Sequence, residues 1–248
     1  MLCRQPNGQA GPSRRPAHTE RYMDMKVAII GTGNVGRALG SSLNARGHEV
    51  TFAAQDVDKT RAVAAELGTS AAERAVDAVA GADLTILAVP AGAVEAVARE
   101  IAGSVTGKVV IDASNPLTPD YSALAAPGGP SPAERVAAIL GDAHVAKAFN
   151  TLFSSIQGDS DALGTQLDGF FATDDDSTRD TVAGLLASLG FRPVHIGGLV
   201  AARELEALAF LNIRLQMLAG GDWRSSFVLV GAPAGATAAP ALAGSRAS

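Results

Sequence analysis

The sequence predicts an α/β fold in which helices cover both faces of a doubly wound parallel sheet. Hydrophobic residues make up 47% of the 248 residues and charged residues only 18%, so the chain can bury a large core. Aromatic residues contribute only 4%, so aliphatic side chains must build that core, as they do in parallel sheets buried on both faces. Short apolar runs also alternate with segments of helical periodicity, which is the pattern of successive β-α-β units.

Five short apolar runs predict the first five strands, because continuous runs of this length are typical of strands buried on both faces. The first of them, KVAII, is stopped directly by Gly31. The predicted strands cover residues 26–30, 50–54, 84–89, 109–112 and 145–149.

Helices are predicted between these strands. Val35, Leu39 and Leu43 recur at four-residue spacing, which gives the first helix an apolar face. Gly47 follows where that helix would end. Further along, the segment Ser-Pro-Ala-Glu at 131–134 has the pattern of a capping box with proline at the first helical position, so it predicts a helix start.

A glycine-rich turn between the first strand and the first helix is the motif that carries chemistry. In the pattern G-x-G-x-x-G, Gly31 allows the tight turn, Gly33 lets the backbone approach a pyrophosphate, and Gly36 permits close packing of helix on strand. The helix start adds free N–H groups and the positive end of a dipole. The strand-turn-helix context therefore predicts a Rossmann domain that binds NAD(P) through Gly31, Thr32, Gly33, Asn34, Val35 and Gly36.

The choice between NAD and NADP is normally made about 20 residues further on, at the end of the second strand. An acid there binds the ribose 2′-hydroxyl of NAD, and an arginine accommodates the 2′-phosphate of NADP. Ala54 and Gln55 occupy this position, so the sequence has neither group.

The residues near Gln55 favour NADP over NAD, chiefly because the acid is missing. Gln55 and Thr32 can donate hydrogen bonds to a 2′-phosphate, and small residues leave room for it. Lys59 or Arg61 can supply positive charge. Asp56 provides the alternative, since its carboxylate turned toward a 2′-hydroxyl would restore a preference for NAD.

Residues after the other strands are the candidates for contact with a ligand, because ligands of open α/β sheets lie at the carboxyl ends of the strands. Asn115 and Asn150 carry neutral amides that can hydrogen-bond a carboxamide or carbonyl, so they are the candidates nearest a reacting ring. For the prolines at 90 and 116, a purely structural role in ending a strand is as well supported as contact with a ligand. The candidates in this group are Val89, Pro90, Asn115, Pro116, Leu117 and Asn150.

The chain beyond residue 150 is too short for a second large core, so we expect it to extend or cap the first domain. Its predicted elements are a strand at 169–173, a helix at 177–189, a strand at 192–196 and a helix through 205–218. The predicted organisation is a disordered tail over 1–25, a dinucleotide-binding domain over 26–150, a short C-terminal α/β extension over 151–231 and a disordered tail over 232–248.

Other functional classes find little support in the sequence. The formal charge is −5 and no basic run is interleaved with aromatic residues, so nucleic acid is not expected as a partner. Cys3 is the single cysteine, which leaves no internal disulfide and no thiolate metal site. No apolar run is long enough for a membrane span or a secretory signal, so we expect a cytoplasmic protein.

No residue is predicted with certainty to be catalytic, and no metal site is expected. Motifs of serine hydrolases and zinc proteases are missing. The three aspartates at 174–176 precede a predicted helix and are interpreted as its cap. His48 and His195 stand in a helix end and a strand, which favours structural roles for both.

Several segments together resemble the NADPH-dependent reductases of coenzyme F420, an 8-hydroxy-5-deazaflavin. The resemblance spans roughly residues 26–231. The same scaffold is similar to the cytoplasmic domain of STEAP-type ferric reductases and to other dinucleotide-binding reductases. The segments are KVAIIGTGNVGRALGSSLNARGHEVTFAA, LAVP, DASNPL, HVAKAFNTLF and ARELEALAFLN.

The resemblance implies hydride transfer between a nicotinamide and the deazaflavin ring, both held over the strand ends, usually in a homodimer. It assigns the pyrophosphate to residues 31–36 and the 2′-phosphate to residues 54–59. It also adds Phe149 to the neighbourhood of the two rings, with Val89, Pro90, the segment 115–117 and Asn150. The chain departs from the family at Ala54-Gln55, where members often have Ser-Arg, and at Asn150, where members can have His.

Two alternatives stay open at this point. A reductase of another acceptor, such as a flavin, an imine or a biosynthetic intermediate, would bind NADPH and leave a deazaflavin unchanged. A non-catalytic NAD(P)-sensing module would bind the nucleotide and reduce no acceptor.

Overall fold

The computed structural model describes residues 24–125, 128–231 and 233–237. Most of the two predicted tails, residues 1–23, 232 and 238–248, lies outside these ranges. Within the described part of each tail, Met25 packs partly against the core and residues 234–237 form one helical turn.

The fold is an α/β sandwich built on one eight-stranded sheet with the order β3-β2-β1-β4-β5-β6-β7-β8. This order places the first strand centrally, as in dinucleotide-binding domains. The strands are β1 (Lys26–Ile30), β2 (Glu49–Ala53), β3 (Ser70–Ala71), β4 (Leu84–Leu87), β5 (Val109–Asp112), β6 (His144–Ala148), β7 (Asp168–Thr173) and β8 (Arg192–His195).

Nine α-helices are formed by the described residues, and they connect the strands or cover the sheet. The helices are α1 (Asn34–Ala45), α2 (Val57–Leu67), α3 (Ala75–Ala80), α4 (Ala91–Ile101), α5 (Pro132–Leu140), α6 (Ser154–Gln157), α7 (Asp176–Ser188), α8 (Ala202–Ala219) and α9 (Ala234–Thr237). The capping box predicted before α5 is present, with both hydrogen bonds between Ser131 and Glu134.

The predicted doubly wound α/β class is confirmed, and β1 to β6 are all parallel, but the sequence did not predict the direction of the strands in the C-terminal extension. β6 and β7 run antiparallel, whereas β7 and β8 are parallel to each other. A parallel neighbour requires a crossover, usually a helix long enough to return the chain to the starting edge. Between β6 and β7 the chain forms only the four-residue helix α6, so β7 starts at the edge where β6 ended.

Four strands, β2, β4, β6 and β8, end one or two residues earlier than predicted, and the differences at β4 and β6 bear on the loops beside the site. β4 stops at Leu87, so residues 88–89 belong to the loop at the carboxyl edge of the sheet. β6 stops at Ala148, and the next residue, Phe149, has a φ of 66° in the left-handed region. A bulky residue in that region is uncommon, and here it turns the chain sharply after the strand.

The core has a layer on each face of the sheet. On one face, Leu39 and Leu43 of α1 pack with Phe52 and with leucines of α7. The ring of Phe52 reaches within 2.2 Å of where a Cβ of Gly40 would stand, so α1 lies very close to β2. On the other face, Val94 of α4 and Val136 of α5 are fully buried against the sheet.

The helix α8 packs at the end of the sheet that carries β7 and β8. Leu205 forms a small core cluster there with Phe170, Ala172 and Val194. In the described ranges, no helix combines the length and apolar character needed to cross a membrane.

Candidate nucleotide-binding site

A cleft of about 620 Å³ lies at the carboxyl ends of β1, β2 and β4, beside the start of α1. This is the edge at which open α/β sheets bind ligands. Eight of the predicted residues line it: Gly31, Thr32, Gly33, Ala54, Gln55, Lys59, Val89 and Pro90. The other eight are not part of its lining: Asn34, Val35, Gly36, Asn115, Pro116, Leu117, Phe149 and Asn150.

The three motif glycines are required for different reasons. Gly31 has a φ of 122°, and a Cβ there would stand 2.3 Å from the carbonyl oxygen of Ala88. A Cβ on Gly36 would stand 2.1 Å from the carbonyl oxygen of Gly31, so this glycine allows α1 to approach its own turn. A Cβ on Gly33 would meet nothing within 4 Å, although Gly33 lines the cleft. Gly33 therefore leaves space in the cleft that the protein itself does not fill.

The start of α1 is equipped to bind an anion. Gly33 is its N-cap, no side chain caps the first turn, and that turn holds no acidic residue. The first N–H groups of a helix have no partner within the helix, and the dipole favours negative charge there. A pyrophosphate fits both this helix end and the open space above Gly33.

The carboxyl end of β2 presents Gln55, Asp56 and Lys59 to the cleft. Asp56 is the N-cap of α2, and its Oδ1 accepts a hydrogen bond of 2.9 Å from the backbone N–H of Lys59. Losing such a cap costs about 1 kcal/mol, which opposes a movement of this carboxylate away from the start of α2. Gln55 and Lys59 are exposed and carry no such constraint.

Arg74 is a cation of the cleft that no sequence pattern predicted. Arg74 precedes α3 and lines the cleft together with Glu73. Arg61, which the sequence offered as a source of charge, is outside the lining and is paired with Glu73 at 2.5 Å. The pairing of β3 with β2, Ala71 beside Phe52, brings Arg74 to the edge where β2 ends. The strand order of a Rossmann sheet was the signal that could have predicted this position.

Asn115 and Asn150, predicted to bind a ring, are hydrogen-bonded to each other. The Nδ2 of Asn115 donates to the carbonyl of Asn150 at 2.8 Å, and the Nδ2 of Asn150 donates to the Oδ1 of Asn115 at 3.0 Å. Asn150 also donates to the carbonyl of Leu205 at 3.1 Å and is only 5% exposed. The Oδ1 of Asn150 is buried and accepts no hydrogen bond. The amide pair thus joins the loops after β5 and β6 to α8.

The suggestion that Phe149 contacts a ring needs correction. Its side chain has no exposed surface and packs in the same core cluster as Phe52. The left-handed backbone at Phe149 directs the side chain inward and places Asn150 beside Asn115. Phe149 therefore shapes the loop from below and does not line the cleft.

Beneath this amide pair lies a buried cluster of three charged side chains, Asp112, Lys147 and Glu206. The Nζ of Lys147 is 2.8 Å from Oδ2 of Asp112 and 3.0 Å from Oε1 of Glu206, and Lys147 and Asp112 are fully buried. Lys147 also donates to the carbonyl of Ser114 at 2.6 Å. Burial raises the pKa of Glu206, and the charge of Lys147 opposes this shift. The cluster fixes the ends of β5 and β6 to α8.

A smaller cavity of about 180 Å³ lies beside this cluster, with Pro116 and Glu206 in its wall. Arg203 in the same wall binds Glu134 through two hydrogen bonds, which holds the pKa of that carboxyl at about 2. Arg135 is paired with Glu95 at 2.8 Å. The arginines of this cavity are therefore already neutralised by carboxylates.

The histidines and the aspartate run have structural contacts. His48 is buried, contacts Ser188 Oγ at 3.2 Å, and has its pKa lowered by burial. His195 Nε2 is 3.3 Å from the carbonyl of Thr173. The predicted cap at 174–176 is confirmed, since Asp175 accepts hydrogen bonds from two backbone N–H groups of α7.

Comparison with known proteins identifies the family. A family model described as NADP oxidoreductase, coenzyme F420-dependent, matches residues 26–116. The F420-dependent NADP reductase of Methanothermobacter marburgensis is 32% identical over 217 residues, which are 78% of this chain and 93% of that protein. The chain belongs to the family of F420-dependent NADP reductases.

Two further proteins show how widely this scaffold is used. A crystal structure from Arthrobacter sp. FB24, provisionally assigned to the same family, has a TM-score of 0.74 and 28% identity and covers 80% of this chain and 96% of its own. The metalloreductase STEAP3 of Rattus norvegicus is 26% identical over 184 residues, which are 74% of this chain and 36% of that protein. The family resemblance predicted from the sequence motifs is confirmed.

Proposed function

We propose that the protein is an NADP(H)-dependent oxidoreductase that transfers a hydride between nicotinamide and the deazaflavin ring of coenzyme F420. The observation that carries the proposal is the open space above Gly33 beside an uncapped α1, in a chain whose relatives are named F420-dependent NADP reductases. A Cβ on Gly33 would enter the cleft without touching protein. The cleft therefore has room for a ligand that approaches the backbone closely.

Successive groups of residues along the cleft match the successive parts of NADP(H). The backbone at Gly33 and the first turn of α1 hold the pyrophosphate. Gln55, Thr32 and Lys59 hold the adenosine end with its 2′-phosphate. Val89 and Pro90, which follow β4, direct the nicotinamide toward the loop after β5.

The loops after β5 and β6 form the side at which the deazaflavin is bound. Asn115 is half-buried there, and its hydrogen bonds with Asn150 fix the positions of the two loops relative to each other. Pro116 and Leu117 continue this wall. We assign these residues to positioning the ring, because a fixed pair of loops holds two planar rings in one geometry.

The protein contributes orientation and electrostatics. The bound nicotinamide and deazaflavin supply the hydride chemistry between them. The cleft presents backbone N–H groups, amides and aliphatic surface, and its charged residues belong to the adenosine side and to α4. Apolar surface at Val89 and Pro90 limits access of water to the ring end.

A homodimer in the cytoplasm completes the proposal. The outer face of α8 exposes Leu211, Leu215 and Leu218, at 49%, 50% and 81% of their surface. An apolar stripe of this kind on a surface helix is typical of an interface between subunits. A single cysteine in the chain suits a reducing compartment.

The test is a comparison of acceptors. Purified protein is mixed with NADPH and, in separate reactions, with coenzyme F420, a flavin and a cyclic imine, and the absorbance of each acceptor is followed. The proposal predicts rapid reduction of F420 alone. Reduction of another acceptor with F420 unchanged would support a different reductase, and nucleotide binding with no turnover would support a sensing module.

A further inference from the structure

Arg74 lies shortly after the carboxyl end of β3, on the adenosine side of the cleft. β3 pairs with β2, and the backbone N–H of Ala72 donates to the carbonyl of Phe52 at 2.8 Å. The segment that follows β3 therefore leaves the sheet next to Gln55. Arg74 stands in this segment and lines the cleft.

Arg74 is also available to a ligand. Its side chain is 67% exposed, and its ion pair with Asp77 is long, at 3.7 Å. Within the described part of the chain, Lys59 is the other cation in the cleft lining. The lining also holds three carboxylates: Asp56 caps α2, Glu73 is held by Arg61, and Glu100 lies on α4.

A 2′-phosphate requires positive charge that a 2′-hydroxyl does not. A guanidinium binds phosphate through parallel hydrogen bonds of fixed geometry. The end of β2 offers no arginine, since Ala54 and Gln55 stand there. We infer that Arg74, assisted by Lys59, binds the 2′-phosphate of NADP from the neighbouring strand and sets the preference for NADP over NAD.

This inference rests on the proposed function, and it is tested by nucleotide affinity alone. The variants are Arg74→Gln and, as the matched control, Arg99→Gln. Arg99 is on α4, is 63% exposed, pairs with Glu95 at 2.9 Å and does not line the cleft. Kd values for NADPH and NADH are measured by fluorescence titration for both variants and the wild type.

Arg74→Gln is expected to weaken NADPH binding by at least about tenfold, because a hydrogen bond to a charged group is lost, and to leave NADH binding unchanged. Arg99→Gln is expected to match the wild type for both nucleotides. The unchanged affinity for NADH also shows that Arg74→Gln is folded.

Three outcomes would overturn the inference. An equal loss of affinity for NADPH and NADH would mean that Arg74 contacts a part that the two nucleotides share, such as the adenine ring. An unchanged NADPH affinity would place the 2′-phosphate elsewhere while leaving the proposed function intact. A wild type that does not bind NADPH would overturn the proposed function together with the inference.

Discussion

At the scale of single residues, the glycine motif separates what folding requires from what binding requires. Gly31 and Gly36 are fixed by the protein, because a Cβ on either would collide with backbone oxygen. Gly33 has an ordinary extended conformation, with φ −74° and ψ −174°, and open space at its Cβ position. The fold therefore does not need a glycine at position 33, whereas a ligand that lies against the backbone there does.

This difference predicts opposite phenotypes for two substitutions. Gly33→Val should fold, with its free energy of unfolding lowered by about 1 kcal/mol because valine is a poorer N-cap. Its Kd for NADPH should rise at least about tenfold, because the side chain enters the pyrophosphate site. Gly36→Ala should lower the free energy of unfolding by about 1–3 kcal/mol, because the helix must move away from its turn. Thermal unfolding and nucleotide titration measure the two effects. Unchanged NADPH affinity in Gly33→Val would falsify the placement of the pyrophosphate.

At the scale of elements, the ends of β5 and β6 are held to α8 by the buried cluster of Asp112, Lys147 and Glu206. One cation faces two carboxylates there, and burial raises the pKa of Glu206 above its ordinary value of 4.5. A carboxyl with a raised pKa in the folded state keeps its proton while the unfolded chain releases its own. The free energy of unfolding must therefore fall as the pH rises from 4.5 toward the folded pKa.

Glu206→Gln removes this titration and tests it. At pH values below 4.5 the variant and the wild type should be similarly stable, since Gln resembles the protonated Glu. As the pH rises, the variant should gain stability relative to the wild type, by about 1.4 kcal/mol for each pKa unit of the shift. Denaturant unfolding from pH 4 to 8 is the measurement, and Glu204→Gln controls for loss of a charge on α8. A relative loss of stability in Glu206→Gln as the pH rises would mean that the attraction to Lys147 outweighs burial.

Local patterns in the sequence predicted most of the elements but not their assembly. The glycine turn, the cap at Ser131 and the apolar runs are read within a few residues, so five of the first six strands were found. The two-residue strand β3 and the short helix α3 carry no such pattern and were missed. The direction of β7 depends on where the connection after β6 runs, which no local pattern encodes. Arg74 reaches the cleft through the pairing of β3 with β2, and Phe149 turns inward because of its backbone conformation. These features required the tertiary structure.

At the scale of the whole molecule, the proposed cofactor is an anion, whereas the chain itself has a formal charge of −5. Attraction must therefore come from local groups at the cleft, namely the start of α1, Lys59 and Arg74. The negative remainder of the surface is a source of solubility and does not determine the site.

The proposed homodimer gives a further prediction at this scale. Leu215→Glu combined with Leu218→Glu should produce a monomer, because two charges would be buried in an apolar interface. Leu163→Glu is the control, since Leu163 is 38% exposed in a loop before β7. Sedimentation equilibrium measures the association state. A wild type that is monomeric, or a double variant that stays dimeric, would contradict an interface on this face of α8.

Direct hydride transfer from the nicotinamide to the deazaflavin ring can be followed with an isotope. NADPH carrying deuterium at the transferring position of the nicotinamide ring is mixed with coenzyme F420 and the protein, and the reduced F420 is analysed by mass spectrometry. A hydride that passes directly to ring carbon carries the label with it, so reduced F420 should gain one deuterium per NADPH oxidised. Reduced F420 without deuterium, or NADPH that stays unoxidised in the presence of F420, would contradict direct transfer by this protein.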